Sequence, residues 1–161
     1  MIQKALTLIH RVCSVLCGLC LLSISVILFL AVFFRYVLTS PIVWAEEITG
    51  FLLVWMVLLS APVGYRGREH VSIDFLPQKM PPTLQPILRL VHALVILTVA
   101  AITVAYGIPH TVKSMNQIFP ILEWIRYGYL YVALPIGYFL VGLYCVEDIL
   151  QAVQTLIGKR A

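Results

Sequence analysis

One ten-residue stretch of the chain concentrates the side chains that most often carry out chemistry in proteins. Residues 65–74 read YRGREHVSID and hold Glu69, His70 and Asp74 together with two arginines. A histidine and two carboxylates can in principle bind a metal ion or act in general acid–base catalysis. On a single short loop this is a weak signal, and the sequence shows no second positioned group that would complete a pocket. The alternative is a polar turn between two buried helices.

Cys17 and Cys20 form a C-x-x-C motif, a spacing found in thiol redox centres. The motif lies inside a long uncharged run, where Cys13, Cys17 and Cys20 share one face of a helix. Reactive thiols have to be accessible, whereas small side chains at this spacing let neighbouring helices approach closely. We expect packing, and the alternative function is a four-helix quinone- or haem-linked redox protein.

Two histidines, His92 and His110, lie 18 residues apart on another uncharged run. At 1.5 Å per residue a helix would place them about 27 Å apart, near opposite faces of a membrane. They cannot ligate one haem together, and no other uncharged run offers a histidine at matching depth. We therefore expect no cofactor, no metal site and no catalytic residues, and interpret the chain as not being an enzyme.

The elements that hold these residues are four uncharged runs, at 12–34, 48–65, 90–112 and 127–146. Each is close to the roughly 20 residues that a helix needs to cross a bilayer. Hydrophobic residues make up 61% and charged residues 11% of the 161 residues, against roughly 45–50% and 25% in soluble domains. Because backbone groups in hydrocarbon must be paired within their own segment, these runs are predicted to be helices.

The predicted fold is therefore an all-α integral membrane protein with four transmembrane helices in a single domain, residues 1–161. The spans are placed at about 12–34, 44–65, 84–112 and 127–147. The prolines at 81 and 82 separate the third helix from an expected interfacial segment, Val71 to Met80.

Charge predicts both orientation and function class. Eight Lys and Arg residues fall on the side of the termini and three on the other side, which predicts both termini in the cytoplasm. The net charge of +4 is thus a topology signal, and no clustered basic face indicates a nucleic-acid partner. None of the uncharged runs carries Asp, Glu, Lys or Arg, the residues that mark ion and proton pathways. The chain alone is not expected to be an ion-coupled carrier.

The second helix is expected to start with Ser40 as its N-cap and Pro41 at its first position. Glu46 and Glu47 then fall in its opening turns, where carboxylates are favoured by the helix dipole. The alternative is that one of them pairs with Arg35 or with an arginine of a partner chain.

Several motifs in order resemble the small permease subunit of TRAP (tripartite ATP-independent periplasmic) transporters. They are Arg35-Tyr36, the W-A-E-E sequence at Trp44 to Glu47, the aromatic-rich FLLVW at Phe51 to Trp55, Arg66-Gly67 through His70-Val71-Ser72-Ile73-Asp74, and the L-P-I-G sequence at Leu134 to Gly137. The resemblance covers almost the whole chain, and its specificity comes from the order and spacing of motifs that are individually loose.

The resemblance implies a multi-pass protein of the bacterial inner membrane, part of a sodium symport system that takes up organic acids. A large permease subunit would carry substrate and sodium by an elevator mechanism, and a periplasmic binding protein would deliver substrate. This chain would scaffold the large subunit, with lipids as its other neighbours. We expect structural or partner contacts at Arg35, Trp44, Glu46, Glu47, Arg66, His70 and Asp74.

Overall fold

A computed structural model describes residues 2–67 and 85–158 of the chain. Four long helices and one short helix make up most of these residues: α1 (Ile2–Tyr36), α2 (Ala45–Gly67), α3 (Gln85–Ser114), α4 (Tyr127–Tyr131) and α5 (Ala133–Gly158). The expected interfacial segment, Val71 to Met80, lies outside the described residues.

The long helices pack in the spatial order α1, α2, α5, α3, so that α1 and α3 lie at the two edges of a layer. Small side chains are buried where the helices meet; they include Ala45, Ala93, Ala100, Ala133 and Cys145. Because lipid offers no hydrophobic driving force between helices, close approach through small residues is the usual basis of their packing.

The outer surface of the layer is apolar. On α1 the side chains of Leu22 and Phe29 are 61% and 71% exposed, as expected of a surface that lipid or another membrane protein covers. Four segments are long and apolar enough to cross a membrane: Leu6–Tyr36, Ala45–Arg66, Leu90–Ser114 and Tyr127–Leu150. The prediction of an all-α membrane protein with four transmembrane helices is confirmed.

Two of the helices extend beyond the uncharged runs that predicted them. α1 begins before Val12 and α5 continues past Glu147 to Gly158, because charged residues are tolerated in the turns that leave the hydrocarbon. The short interruption at Val132 precedes Pro135, which has no N–H to donate to the carbonyl of Tyr131.

The predicted start of the second helix is wrong. α2 begins at Ala45 rather than at Pro41. The chain leaving α1 reverses through Thr39, whose φ of 52° is left-handed, and the residues up to Trp44 complete the turn before helical bonding starts with Ile48 N–H donating to the Trp44 carbonyl (3.2 Å).

Candidate functional site: polar contacts at the two ends of the helix layer

Two sets of polar contacts join the helices, one at each end of the layer. We call the end that holds residues 37–44 and 115–126 the loop end, and the end that holds the start of α1 and the last turn of α2 the terminal end. Between them lies a segment in which α2, α3 and α5 approach closely through glycines.

At the loop end, the carboxylate of Glu47 holds the connection between α3 and α4. Its oxygens accept hydrogen bonds from the backbone N–H of Leu122 (2.9 Å) and of Ile121 (3.1 and 3.3 Å). A carboxylate that accepts two backbone N–H groups makes strong, charge-assisted bonds. The first turn of α2 therefore fixes a loop that is far away in sequence.

The same loop is closed on itself by a short antiparallel contact between Ile118 and Arg126. The rings of Phe119 and Tyr127 stack at 4.1 Å between centroids, with 12° between their planes. The Arg126 guanidinium donates to the Met115 carbonyl at 3.4 Å. The connection is thus an ordered hairpin-like loop, and Trp124 at its tip is 76% exposed.

A second contact ties α2 to α4. The indole N–H of Trp55 donates to the backbone carbonyl of Tyr129 at 3.2 Å, and Phe51 packs one turn away at 6.4 Å between ring centroids. An indole N–H within an apolar span needs such a partner. This contact explains why Trp55 lies near the middle of α2 instead of at the membrane boundary.

In the middle of the layer, Gly137 of α5 lies against the carbonyl oxygen of Leu58 in α2, and a Cβ on Gly137 would clash with that oxygen. Pro62, four residues after Leu58, is fully buried and has no N–H to donate to this carbonyl. The Cα–H of Gly137 therefore faces this carbonyl oxygen.

The L-P-I-G sequence of α5 serves a second contact as well. The side chain of Leu134 occupies the space that a Cβ on Gly107 of α3 would need, 2.7 Å from that position, and Pro135 follows at 3.6 Å. Residues 134–137 therefore join α5 to α3 on one side and to α2 on the other.

At the terminal end, the hydroxyl of Tyr65 donates to Asp148 Oδ2 at 2.6 Å and joins α2 to α5. Next to it, Arg66 Nη2 donates to Thr7 Oγ1 at 3.0 Å, and the guanidinium carbon lies 5.4 Å from the ring centroid of Tyr144. Arg66 thus bridges α1 and α5 from the last turn of α2.

Two atoms near this end have unmet hydrogen-bonding capacity. Arg66 Nη1 and His10 Nδ1 are buried, and neither has a hydrogen-bond partner among residues 2–67 and 85–158. Tyr144 Oη donates to the Leu6 carbonyl at 3.2 Å, so the first turns of α1 are held on α5.

The structure places the predicted contact residues at both ends. Trp44 and Glu46 are exposed beside Glu47 at the loop end. The Arg35 guanidinium lies 6.0 Å from the ring centroid of its neighbour Tyr36. Within residues 2–67 and 85–158, the Glu47 carboxylate is hydrogen-bonded to backbone N–H groups instead of to Arg35. His70 and Asp74, like Glu69, lie outside the described residues.

The cysteines and histidines of the described part are placed as single packing residues. All four cysteines are free thiols, and Cys17 Sγ lies 3.6 Å from the Met56 carbonyl on α2. The His110 ring meets Tyr131 edge-on at 4.6 Å between centroids. No three His, Cys, Asp or Glu side chains of the described residues are grouped so that they could hold a metal ion.

Sequence reasoning missed the partners of these polar residues. The donors to the Glu47 carboxylate are backbone N–H groups, which no side-chain pattern reveals. Tyr65 and Asp148 carried a usable signal, because each stands at the boundary of an uncharged run on the same side of the membrane. Thr7 carried none, since a hydroxyl near a helix start is common.

Comparison with known proteins agrees with this architecture. The family model described as "Tripartite ATP-independent periplasmic transporters, DctQ component" matches residues 24–155. A TRAP transporter small permease protein of Haemophilus influenzae is 26% identical over 153 residues, which is 95% of this chain and 94% of that protein. The sialic acid TRAP transporter small permease protein SiaQ of Vibrio cholerae is 24% identical over 130 residues, covering 77% of this chain and 71% of SiaQ.

A third relative is much longer. The sialic acid TRAP transporter permease protein SiaT of Haemophilus influenzae is 30% identical over 122 residues, which is 74% of this chain and 19% of SiaT. The counterpart of this chain is therefore a small part of that permease. The chain belongs to the family of DctQ components and is the small permease subunit of a TRAP transporter, a multi-pass protein of the bacterial inner membrane that is paired with a large permease subunit.

Proposed function

We propose that this subunit scaffolds the large permease subunit of a sodium-coupled, binding-protein-dependent transporter of organic acids, and does not itself carry substrate or ions. We further propose that both termini lie in the cytoplasm, on the side that carries most of the Lys and Arg residues. A periplasmic binding protein is the transient third component, and lipids cover the remaining apolar surface.

The placement of the carboxylates is the observation that carries this proposal. Glu47 is engaged by backbone N–H groups of a loop, and Asp148 accepts the Tyr65 hydroxyl. Carboxylates at membrane depth that can release and rebind a ligand are a common mark of ion-carrying subunits. Here both side chains serve to join helices, as expected of a rigid support.

The names of the relatives support the substrate class. SiaQ and SiaT are named for sialic acid, and another relative, from Vibrio cholerae, is named a C4-dicarboxylate TRAP transporter small permease protein. Both compounds are carboxylates. We therefore place the substrate of this system among organic acids, with the choice of acid made by the other two components.

Reconstitution tests the proposal. The large subunit, the binding protein and this chain are combined in liposomes under a sodium gradient, and uptake of a radiolabelled organic acid is compared with preparations that lack one component. We expect uptake with all components, and none from this chain and the binding protein alone. Sodium-driven uptake by that pair would refute the scaffold role.

A junction between the subunits is proposed around Arg66, His70 and Asp74, with Arg35, Trp44, Glu46 and Glu47 at the opposite end. We expect Asp74→Ala to lower both the recovery of the large subunit with this tagged chain and the uptake. Glu123→Ala is the matched control, because Glu123 is an exposed carboxylate on the loop between α3 and α4. Unchanged recovery and uptake for Asp74→Ala would contradict the junction.

A further inference from the structure

Two glycines of α2, Gly50 and Gly64, face open space. A Cβ on Gly107 or Gly137 would meet another helix of the subunit, which explains why no side chain is present there. A Cβ on Gly50 or Gly64 would meet nothing within 4 Å in the described part of the chain. Glycine in a helix interior is destabilising relative to alanine, and the contacts described within the subunit do not account for these two residues.

Both glycines lie on the part of α2 that its neighbours leave uncovered. α2 packs between α1 and α5. The exposed residues of 45–66 are spaced by three and four positions, so that they form a single stripe along the helix. We call this stripe the α2 face, and its members are Glu46, Gly50, Leu53, Val57, Ser60 and Gly64.

The exposed stripe of α5 has the same spacing but a different composition. Between residues 133 and 150 all of its members are large and apolar: Ile136, Phe139, Leu143, Val146 and Leu150. Large apolar side chains suit contact with lipid chains, whereas small residues on a transmembrane helix let a second helix approach closely. Half of the six residues of the α2 face are glycine or serine, so the α2 face is the better surface for a protein neighbour.

The open glycine of α1 has different surroundings. A Cβ on Gly18 would also meet nothing within 4 Å in the described part of the chain. The large side chains of Val15, Leu21 and Leu22, three or four residues away, are exposed beside it and keep an approaching helix at a distance. Gly18 is therefore as open as the two glycines of α2 without lying on a comparable surface.

The family supplies the occupant of the α2 face. This chain is the small subunit of a permease that also has a large subunit, and in SiaT the counterpart of this chain is 19% of the length of a single permease chain. Part of the apolar surface of this chain is therefore covered by the rest of the permease instead of by lipid.

We propose that one transmembrane helix of the large permease subunit packs along the α2 face, between Gly50 and Gly64. The identity of this occupant rests on the scaffold role proposed above. The two glycines are 14 residues, or about 21 Å, apart along the helix, so the contact extends over about four turns within the roughly 30 Å of hydrocarbon. The stretch between them carries no charge, and close van der Waals packing holds the two helices together.

Side chains added at the two glycines test this inference. The double variant Gly50→Leu with Gly64→Leu fills the α2 face without a clash inside the subunit, so the melting temperature of the tagged chain in detergent is expected to stay the same. The amount of large subunit recovered with the tagged chain from membranes is expected to fall about tenfold, as for an overpacked contact. Gly18→Leu is the matched control and is expected to leave recovery unchanged.

Photo-cross-linking in the membrane gives a second measurement that does not depend on disrupting the complex. When p-benzoylphenylalanine replaces Val57 on the α2 face, a covalent product with the large subunit is expected. When it replaces Phe139 on the exposed stripe of α5, no such product is expected. Lack of the product from position 57, equal products from both positions, or a product from position 57 with a second copy of this chain would overturn the proposal.

The unaltered chain separates this inference from the scaffold role. If the unaltered chain recovers no large subunit, the scaffold role and the docking surface both fail. If the unaltered chain and the double variant recover equal amounts, the scaffold role stands and the α2 face is not the docking surface. A loss of recovery in Gly18→Leu as large as in the double variant would likewise overturn the choice of the α2 face.

Discussion

Gly137 meets the carbonyl oxygen of Leu58 so closely that no side chain fits between α5 and α2 at this point. The carbonyl is available because Pro62 cannot donate to it. A proline in one helix and a glycine in another thus form one contact.

We expect Gly137→Ala to destabilise the subunit by about 1–3 kcal/mol, the usual effect of an overpacked contact. Thermal unfolding in detergent measures the change. Gly142→Ala on the same helix is the control, because its Cβ would lie at an ordinary 3.8 Å from Leu97. Equal melting temperatures for the two variants would show that the helices are farther apart than described.

Loss of the Glu47 carboxylate is expected to loosen the loop between α3 and α4. In Glu47→Ala the N–H groups of Ile121 and Leu122 lose their acceptor, and a hydrogen bond to a charged group contributes about 1.5–3 kcal/mol. Since both bonds from Ile121 are exposed, we expect the lower part of that range, or roughly tenfold faster amide exchange at the two residues.

Glu46→Ala is the matched control for that experiment. Glu46 is the neighbouring carboxylate and is exposed, so its removal is expected to leave exchange at Ile121 and Leu122 as it was. Similar acceleration in both variants would mean that the first turn of α2 acts through its overall charge instead of through the bonds of Glu47.

The hydrogen bond between Tyr65 and Asp148 is testable by a double-mutant cycle. Tyr65→Phe removes only the hydroxyl, and Asp148→Ala removes its acceptor. We expect the two changes to be non-additive by about 1 kcal/mol or more in the free energy of unfolding, as for partners in direct contact. Additive effects would place the two side chains apart.

The proposed orientation is tested with reporter fusions. Eight of the Lys and Arg residues lie on the side of the termini, which predicts a cytoplasmic C-terminus. Green fluorescent protein fused after Ala161 is expected to fluoresce, and alkaline phosphatase fused there to be inactive. Phosphatase inserted after Ser40, at the loop end, is expected to be active. The reverse pattern would invert the topology.

The four helices were predictable because their signal is compositional. An uncharged run of about 20 residues in a chain with 11% charge has few other structures available to it. The motifs were also recognisable, but their roles were not. The need for a glycine at position 137 depends on Leu58, on Pro62 and on the order of the helices in the layer. None of these can be inferred from the sequence of α5 alone.

The contacts of Glu47 could not be predicted from the sequence either. A carboxylate in the first turn of a helix is explained well enough by the helix dipole, so nothing in the sequence calls for a distant partner. Its actual partners are the N–H groups of Ile121 and Leu122. Backbone groups are present at every residue, and only the fold selects two of them.

The length of α1 has a mechanical consequence. The helix from Leu6 to Tyr36 has 31 residues and extends about 46 Å, and its uncharged run, 12–34, extends about 34 Å, whereas the hydrocarbon of a bilayer is about 30 Å thick. Tilting, local thickening of the bilayer or burial of its ends in the headgroup layer must absorb this mismatch. α1 lies at the edge of the layer and packs against α2. Bilayers of different thickness will therefore place different strain on the contact between α1 and α2.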